Sequence, residues 1–181
     1  MSVRNLVTAA LLVAAGVMFN ALIRIPWPWA PFLEYSPADV PTLLGTFALG
    51  PVLGSLIALL RALIHFTHST GGVIGLVMDI ASGVTLAAVA GLIYFHWRTR
   101  AGAAIALAGG SVAMIATVMA LNIFWAIPLQ LGISIQEAAG MAFTVALPFN
   151  LAKSVLNGLI VFLLYKPLSA ILHGRQAEKK S

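Results

Sequence analysis

The apolar run from about Met141 to Tyr165 is long enough to cross a bilayer, and it holds Lys153, the only lysine embedded in any such run. An ionised lysine near mid-depth costs roughly 2.5–3.5 kcal/mol on insertion scales, so it must face protein, water or a ligand instead of lipid. In a helix, Asn150, Lys153, Ser154 and Asn157 fall at i, i+3, i+4 and i+7, so one face collects every polar group of this stretch. Phe149, Leu151, Ala152, Val155 and Leu156 spread over the rest. Such a helix is apolar towards lipid and polar towards a bundle interior. Snorkelling of Lys153, or a structural pair with a carboxylate, is the competing reading; the ordered Asn/Lys/Ser/Asn stripe favours a ligand.

The rest of the chain has the same character. Of 181 residues, 61% are hydrophobic and 8% charged, against about a quarter charged in soluble domains. Six apolar segments joined by short connections predict an all-α integral membrane protein, one six-helix domain over residues 1–181 with a basic tail from about residue 166. The net charge of +5 does not point to nucleic acid, because the basic residues sit scattered at segment ends without aromatic stacking partners. With no cysteine, disulfides, thiolate nucleophiles and thiolate metal sites are excluded.

Residues 5–24 have the outline of a signal peptide, with Ala14-Ala15-Gly16 as a cleavage site, but no soluble passenger follows, and a first spanning helix is expected. Four prolines and several aromatics between Ile25 and Ala38 predict an ordered loop at the membrane surface. Asp39 or Ser36 can cap a short helix over Val40–Leu49, broken from a third, Val52 to about Phe66, by Gly50-Pro51. The fourth helix, about Val73 to His96, carries Gly75, Asp79, Gly83, Ala87 and Gly91 at four-residue intervals, a stripe that admits a close neighbour. Asp79 on that stripe is buried in protein, with Arg61 the nearest plausible counter-ion. A fifth helix from about Ala101 to Phe124, a surface loop over Pro128–Ala139 and the sixth helix complete the set. Ala10 and Ala14, with Ala21 further along, make a smooth strip on the first helix that another helix can approach.

Laid out alternately, these helices gather Arg4, Arg98, Arg100, Lys166, Arg175, Lys179 and Lys180 on one side, which the positive-inside rule makes cytoplasmic, together with both termini. Asn122, Asn150, Glu34, Asp39 and Glu137 fall in the outer half. There Phe32, Tyr35, Phe124, Trp125 and Phe149 can wall a small-molecule pocket into which Asn122, Asn150 and Lys153 point. Two asparagines, each donor and acceptor, can read a heterocycle edge, and lysine a carbonyl or hydroxyl.

Phe32-Leu33-Glu34-Tyr35-Ser36-Pro37-Ala38-Asp39-Val40-Pro41 with Phe47-Ala48-Leu49-Gly50-Pro51, then Asn122-Ile123-Phe124-Trp125-Ala126-Ile127-Pro128-Leu129, then Pro148-Phe149-Asn150-Leu151-Ala152-Lys153, resemble motifs of the riboflavin-specific S components of energy-coupling factor (ECF) transporters. The resemblance covers essentially the whole chain. It implies a subunit that captures riboflavin, as transported ligand and not as cofactor, and reorients in the membrane on a T component driven by two cytoplasmic ATPases. It further implies ligand contact at Asn122, Asn150 and Lys153, a first loop acting as lid, and docking to the T component through Ala10 and Ala14. The substrate-site candidates are then Asn122, Asn150, Lys153, Tyr35, Asp39, Phe32, Trp125 and Phe149; no residue is assigned a catalytic or metal-binding role.

Ala152-Lys153-Ser154 mimics the end of a phosphate-binding loop only superficially, since positions 147 and 152 are Leu and Ala where that loop requires glycines. His65 and His68 lack an adjacent carboxylate or cysteine to complete a metal site. A small secondary transporter would show internal repeats and helices broken at matching positions, which the chain does not. A related flavin such as FMN, or another vitamin such as cobalamin, stays open as ligand.

Overall fold

A computed structural model describes the backbone of residues 2–177 and the side chains of residues 2–30 and 33–164. Helix α1 (Val3–Leu22) opens on Ser2, whose hydroxyl accepts the Asn5 N–H at 3.3 Å. It buries Ala9, Val13, Gly16 and Asn20 and leaves the opposite face exposed.

The proline- and tryptophan-rich segment that follows is not an irregular loop. It folds as an antiparallel hairpin, β1 (Ile25–Trp27) and β2 (Ala30–Tyr35), with Ile25 opposite Tyr35 and Pro26 opposite Glu34. The all-α expectation is corrected by this ribbon. A two-stranded sheet has two free edges, so a proline that cannot donate is tolerated where a central strand would refuse it. Trp27 stacks on Trp29 with centroids 5.3 Å apart and meets Phe149 edge-on at 5.7 Å, which pins the hairpin to the helices.

Helices α2 (Asp39–Leu49) and α3 (Pro51–Phe66) are separated by Gly50, whose φ of 103° reverses the chain. Neither Asp39 nor Ser36 caps α2: the cap position is Ala38, and no side chain bonds there. Helix α2 is buried on nearly every side and forms the centre of the bundle. Around it lie α1, α3 and α4 (Gly72–His96), and α5 (Arg100–Leu121) packs on α4; α5 is capped by Thr99, whose hydroxyl accepts the Gly102 N–H at 2.9 Å. The stripe expected on α4 packs as read at its far end: Gly91 lies on Pro51 and Thr46, and Gly83 on Ala58 and Arg61. Leu43, Phe47, Leu86, Tyr94, Leu107 and Met114 close the core.

Helix α5 runs on through a π-helical turn, Asn122–Ala126, into α6 (Ile127–Leu131). Gly132 in the left-handed region ends it, and a capping box between Ser134 and Glu137 starts α7 (Ile135–Met141). The expected surface loop over Pro128–Ala139 therefore shrinks to three residues between Leu131 and Ile135. A second π-helical turn, Ala142–Ala146, leads into α8 (Leu147–Ala177). Among the described residues, four helical runs are long and apolar enough to span a membrane, Val3–Leu22, Gly72–His96, Arg100–Leu131 and Ile135–Leu164, while α2 and α3 are shorter. The expected basic side chains from Lys166 onwards, with Lys179 and Lys180, lie outside the described residues, as does the Phe32 side chain.

Candidate ligand-binding site

The last turns of α1, α3, α5 and α6, the first turns of α4 and α8 and the segment after β2 all end in one layer, and they enclose a cavity of ≈ 510 Å³. That size falls within the usual span of about 300–1,000 Å³ for small-molecule pockets. Arg4 opens α1, and Arg98 and Arg100 sit at the turn between α4 and α5, so these arginines lie at the opposite end of the bundle.

A ladder of charged side chains forms one wall. Lys153 Nζ of α8 lies 2.9 Å from Asp39 Oδ2 of α2; Asp39 Oδ1 is 3.2 Å from Arg61 Nη2 of α3; Arg61 donates to Asp79 Oδ1 of α4 at 2.7 Å; and Asp79 Oδ2 meets His65 Nδ1 at 3.2 Å. Arg61 is 2% exposed. Its stem fits because Gly16 of α1 leaves room beside its Cδ and Gly83 of α4 leaves room beside its Nη2; a Cβ at Gly16 would stand 2.8 Å from that Cδ. Charges this deep persist only when paired, and four helices supply the pairs. Tyr35 braces the ladder, donating at 3.0 Å to Asn157 Oδ1, while Asn157 donates to Asp39 Oδ2 at 3.4 Å. Burial, and then the Asp39 carboxylate, raise the Tyr35 phenol above its ordinary value, so it remains a donor.

Two asparagines face the same cavity. Asn122 donates through Nδ2 to Val118 O at 2.9 Å and Asn150 to Ala146 O at 2.8 Å. A carbonyl can only accept, so these bonds fix each amide with its Oδ1 away from its own helix backbone. Asn122 opens one π-helical turn, and the other ends at the very carbonyl that holds Asn150. Inserted turns of this kind recur at functional sites because they re-aim side chains.

The family described as ECF transporter, substrate-specific component, matches residues 4–165. This chain belongs to that family. A curated relative, the riboflavin transporter RibU of Staphylococcus aureus (strain TCH60), is 28% identical over 93% of this chain and 92% of its own. A solved structure, described as structure and mechanism of the S component of a bacterial ECF transporter, superposes with a TM-score of 0.79 and 29% identity over 93% of this chain and 97% of that one. The protein is thus a multi-pass membrane S component.

Of the residues singled out in the sequence, Asn122, Phe149, Asn150 and Lys153 line the S component's cavity. Tyr35 and Asp39 stand behind its wall, holding Lys153 and Arg61 in place. Trp125 is half-buried outside the lining, and Phe124, 68% exposed, points away from the bundle. The apolar lining is accordingly mostly aliphatic, from Leu33, Ile74, Met78, Val118, Ile127 and Val145. Lys153 satisfies both sequence readings at once, paired with a carboxylate and still 18% exposed at the cavity. Sequence reasoning missed the lining roles of Asn20, Ser36, His65 and Ser82. Asn20 could have been found, since it is a polar residue in the last turn of a helix whose buried face is otherwise small and apolar.

Proposed function

We propose that this S component captures riboflavin in the described cavity from the outer side of the membrane. The observation that carries the reading is the coincidence of two facts: a relative named for riboflavin transport aligns over nearly the whole chain, and the Asn122, Asn150 and Lys153 motifs meet at a single pocket of ligand size. Lys153 has three N–H donors and spends one on Asp39, which leaves others for a ligand carbonyl or hydroxyl. The asparagine amides suit a heterocycle edge that alternates donors and acceptors. The arginines at the far end support an outward-facing pocket and cytoplasmic termini.

Delivery would then require the T component and two ATPases, because the chain contains no phosphate-binding loop. Ala10 and Ala14 are exposed on α1, among the exposed Leu6, Val7, Leu11 and Met18. Among the described residues nothing buries them, which supports this face as the docking surface.

An absorbance spectrum of the purified protein tests the ligand. A bound flavin chromophore is expected, and Lys153→Met or Asn150→Leu should weaken riboflavin binding by roughly 1–3 kcal/mol per lost contact. Both variants should still fold, with a lowered melting midpoint for Lys153→Met because Asp39 loses a charge partner. A colourless protein that takes up no riboflavin, or a corrinoid spectrum, refutes the reading.

A further inference from the structure

Asn20 lies in the last turn of α1, is 7% exposed and lines the cavity, yet its Nδ2 finds no hydrogen-bond partner among the described residues. The turn that carries it is held, because the Asn20 carbonyl accepts Arg24 Nε–H at 2.8 Å. Its direction is set as well: Gly16, one turn earlier on the same buried face, lies against the Arg61 stem and the Ala38 carbonyl. A buried donor without a partner destabilises a protein more than an apolar side chain of the same shape would. Native proteins carry few such groups, and each calls for an explanation. Ser36 Oγ, after β2, is a second buried polar atom with no partner among the described residues, and it lines the same cavity.

These two groups stand on a different wall from the asparagines already described. Helix α1 packs on α2 and α3, whereas α5 packs on α4 and α8. Asn122 and Asn150 each spend one N–H on their own helix and offer Oδ1 and a second N–H, which suits a ring edge of mixed donors and acceptors. Asn20 Nδ2 can only donate, and Ser36 can donate or accept, which suits the oxygens of a hydroxylated chain.

We infer that Asn20, assisted by Ser36, is a specificity-determining residue that binds the polyol portion of the ligand while α5 and α8 hold the ring. This rests on the riboflavin reading above. It assigns to α1, otherwise a packing and docking helix, a direct part in recognition.

The test uses two probes, riboflavin and lumichrome, which keeps the flat ring and lacks the hydroxylated chain. Both are titrated against the flavin-stripped full-length protein by fluorescence quenching. Asn20→Leu, nearly isosteric, should weaken riboflavin about 10-fold, equivalent to about 1.4 kcal/mol, and leave lumichrome unchanged. Ser36→Ala should act in the same direction and less strongly. The unliganded melting midpoint of Asn20→Leu should stay level or rise, because an unpaired buried donor has gone. Equal losses for both probes, or a lowered midpoint with lost binding, would mark Asn20 as structural and overturn the inference, as would undiminished riboflavin binding. Should Asn20→Leu not fold, Asn20→Ser gives the same comparison of probes. A parent protein that binds neither probe sinks the riboflavin reading itself, a result separable from any effect of the variants.

Discussion

Replacing Arg61 tests whether the buried ladder is one electrostatic unit. Arg61→Met keeps most of the stem that fills the slot between Gly16 and Gly83 and removes both ion contacts, at 2.7 Å to Asp79 and 3.2 Å to Asp39. Asp39 keeps Lys153 at 2.9 Å and Asn157 at 3.4 Å, whereas Asp79 keeps His65 at 3.2 Å alone among the described residues. Removing one partner of a buried pair costs about 3–5 kcal/mol, and the contacts left on Asp39 place this case near the lower figure. Asp79→Asn keeps the shape and leaves Arg61 its contact with Asp39, so a loss of about 1–3 kcal/mol is expected. The double variant retains a balanced Lys153–Asp39 pair and no orphaned charge. Its loss should therefore fall short of the sum of the single losses by about 1–3 kcal/mol, as contacting residues in one network do. At roughly 2–4 °C per kcal/mol for a chain of this size, Arg61→Met lowers the midpoint by about 6–12 °C, and the double variant melts above the temperature that the summed single shifts would give. Circular dichroism melts of the unliganded protein in detergent read this directly. Additive losses, or an Arg61→Met midpoint equal to the parent's, would refute the ladder as a coupled unit.

At Gly91 an added Cβ would stand 2.7 Å from Pro51 backbone and 2.8 Å from Thr46 Cγ2, whereas at Gly140 nothing lies within 4 Å. Gly91→Ala should therefore cost about 1–3 kcal/mol in the same melts, and Gly140→Ala should be neutral or gain up to about 1 kcal/mol. The chain has no cysteine, so single cysteines report orientation: an impermeant maleimide on intact cells should label Trp29→Cys, 69% exposed at the hairpin, and spare Thr99→Cys. Ala10→Trp and Ala14→Trp should abolish riboflavin uptake and co-purification with the ATPase module while flavin binding survives; unimpaired uptake would remove α1 as the docking face.

The positions of the longer helices were readable because the signals that set them are local, whereas α6 and α7 fell largely within an expected loop. Gly50-Pro51 breaks α2 from α3, and the polar stripe of α8 follows from helical spacing alone. The hairpin was hidden by its prolines, which argue against any strand except one at a sheet edge, and a two-stranded ribbon consists of edges alone. Asp39 was read as a cap and a ligand contact, and its partners explain the difference: Lys153 and Asn157 are remote in sequence, and only the packed bundle brings them together. The π-helical turns left no trace in the hydrophobic pattern, so the register by which Asn122 and Asn150 reach one cavity could be seen only in three dimensions. Phe124 and Trp125 looked like pocket aromatics, but the turn at Asn122–Ala126 leaves Phe124 exposed and Trp125 outside the lining.

Lys153, Asp39, Arg61 and Asp79 carry two positive and two negative formal charges, joined by contacts of 2.7–3.2 Å. Their sum is zero, so a change in the tilt or depth of this layer does almost no work against the transmembrane potential. A variant short of one rung, such as Asp79→Asn, would carry a net elementary charge, worth about 2.3 kcal/mol per 100 mV if moved across the whole field. Uptake by that variant in proteoliposomes should therefore depend on the sign of an imposed potential more strongly than uptake by the parent. By cancelling its own charges, the ladder leaves the membrane voltage nothing to push on.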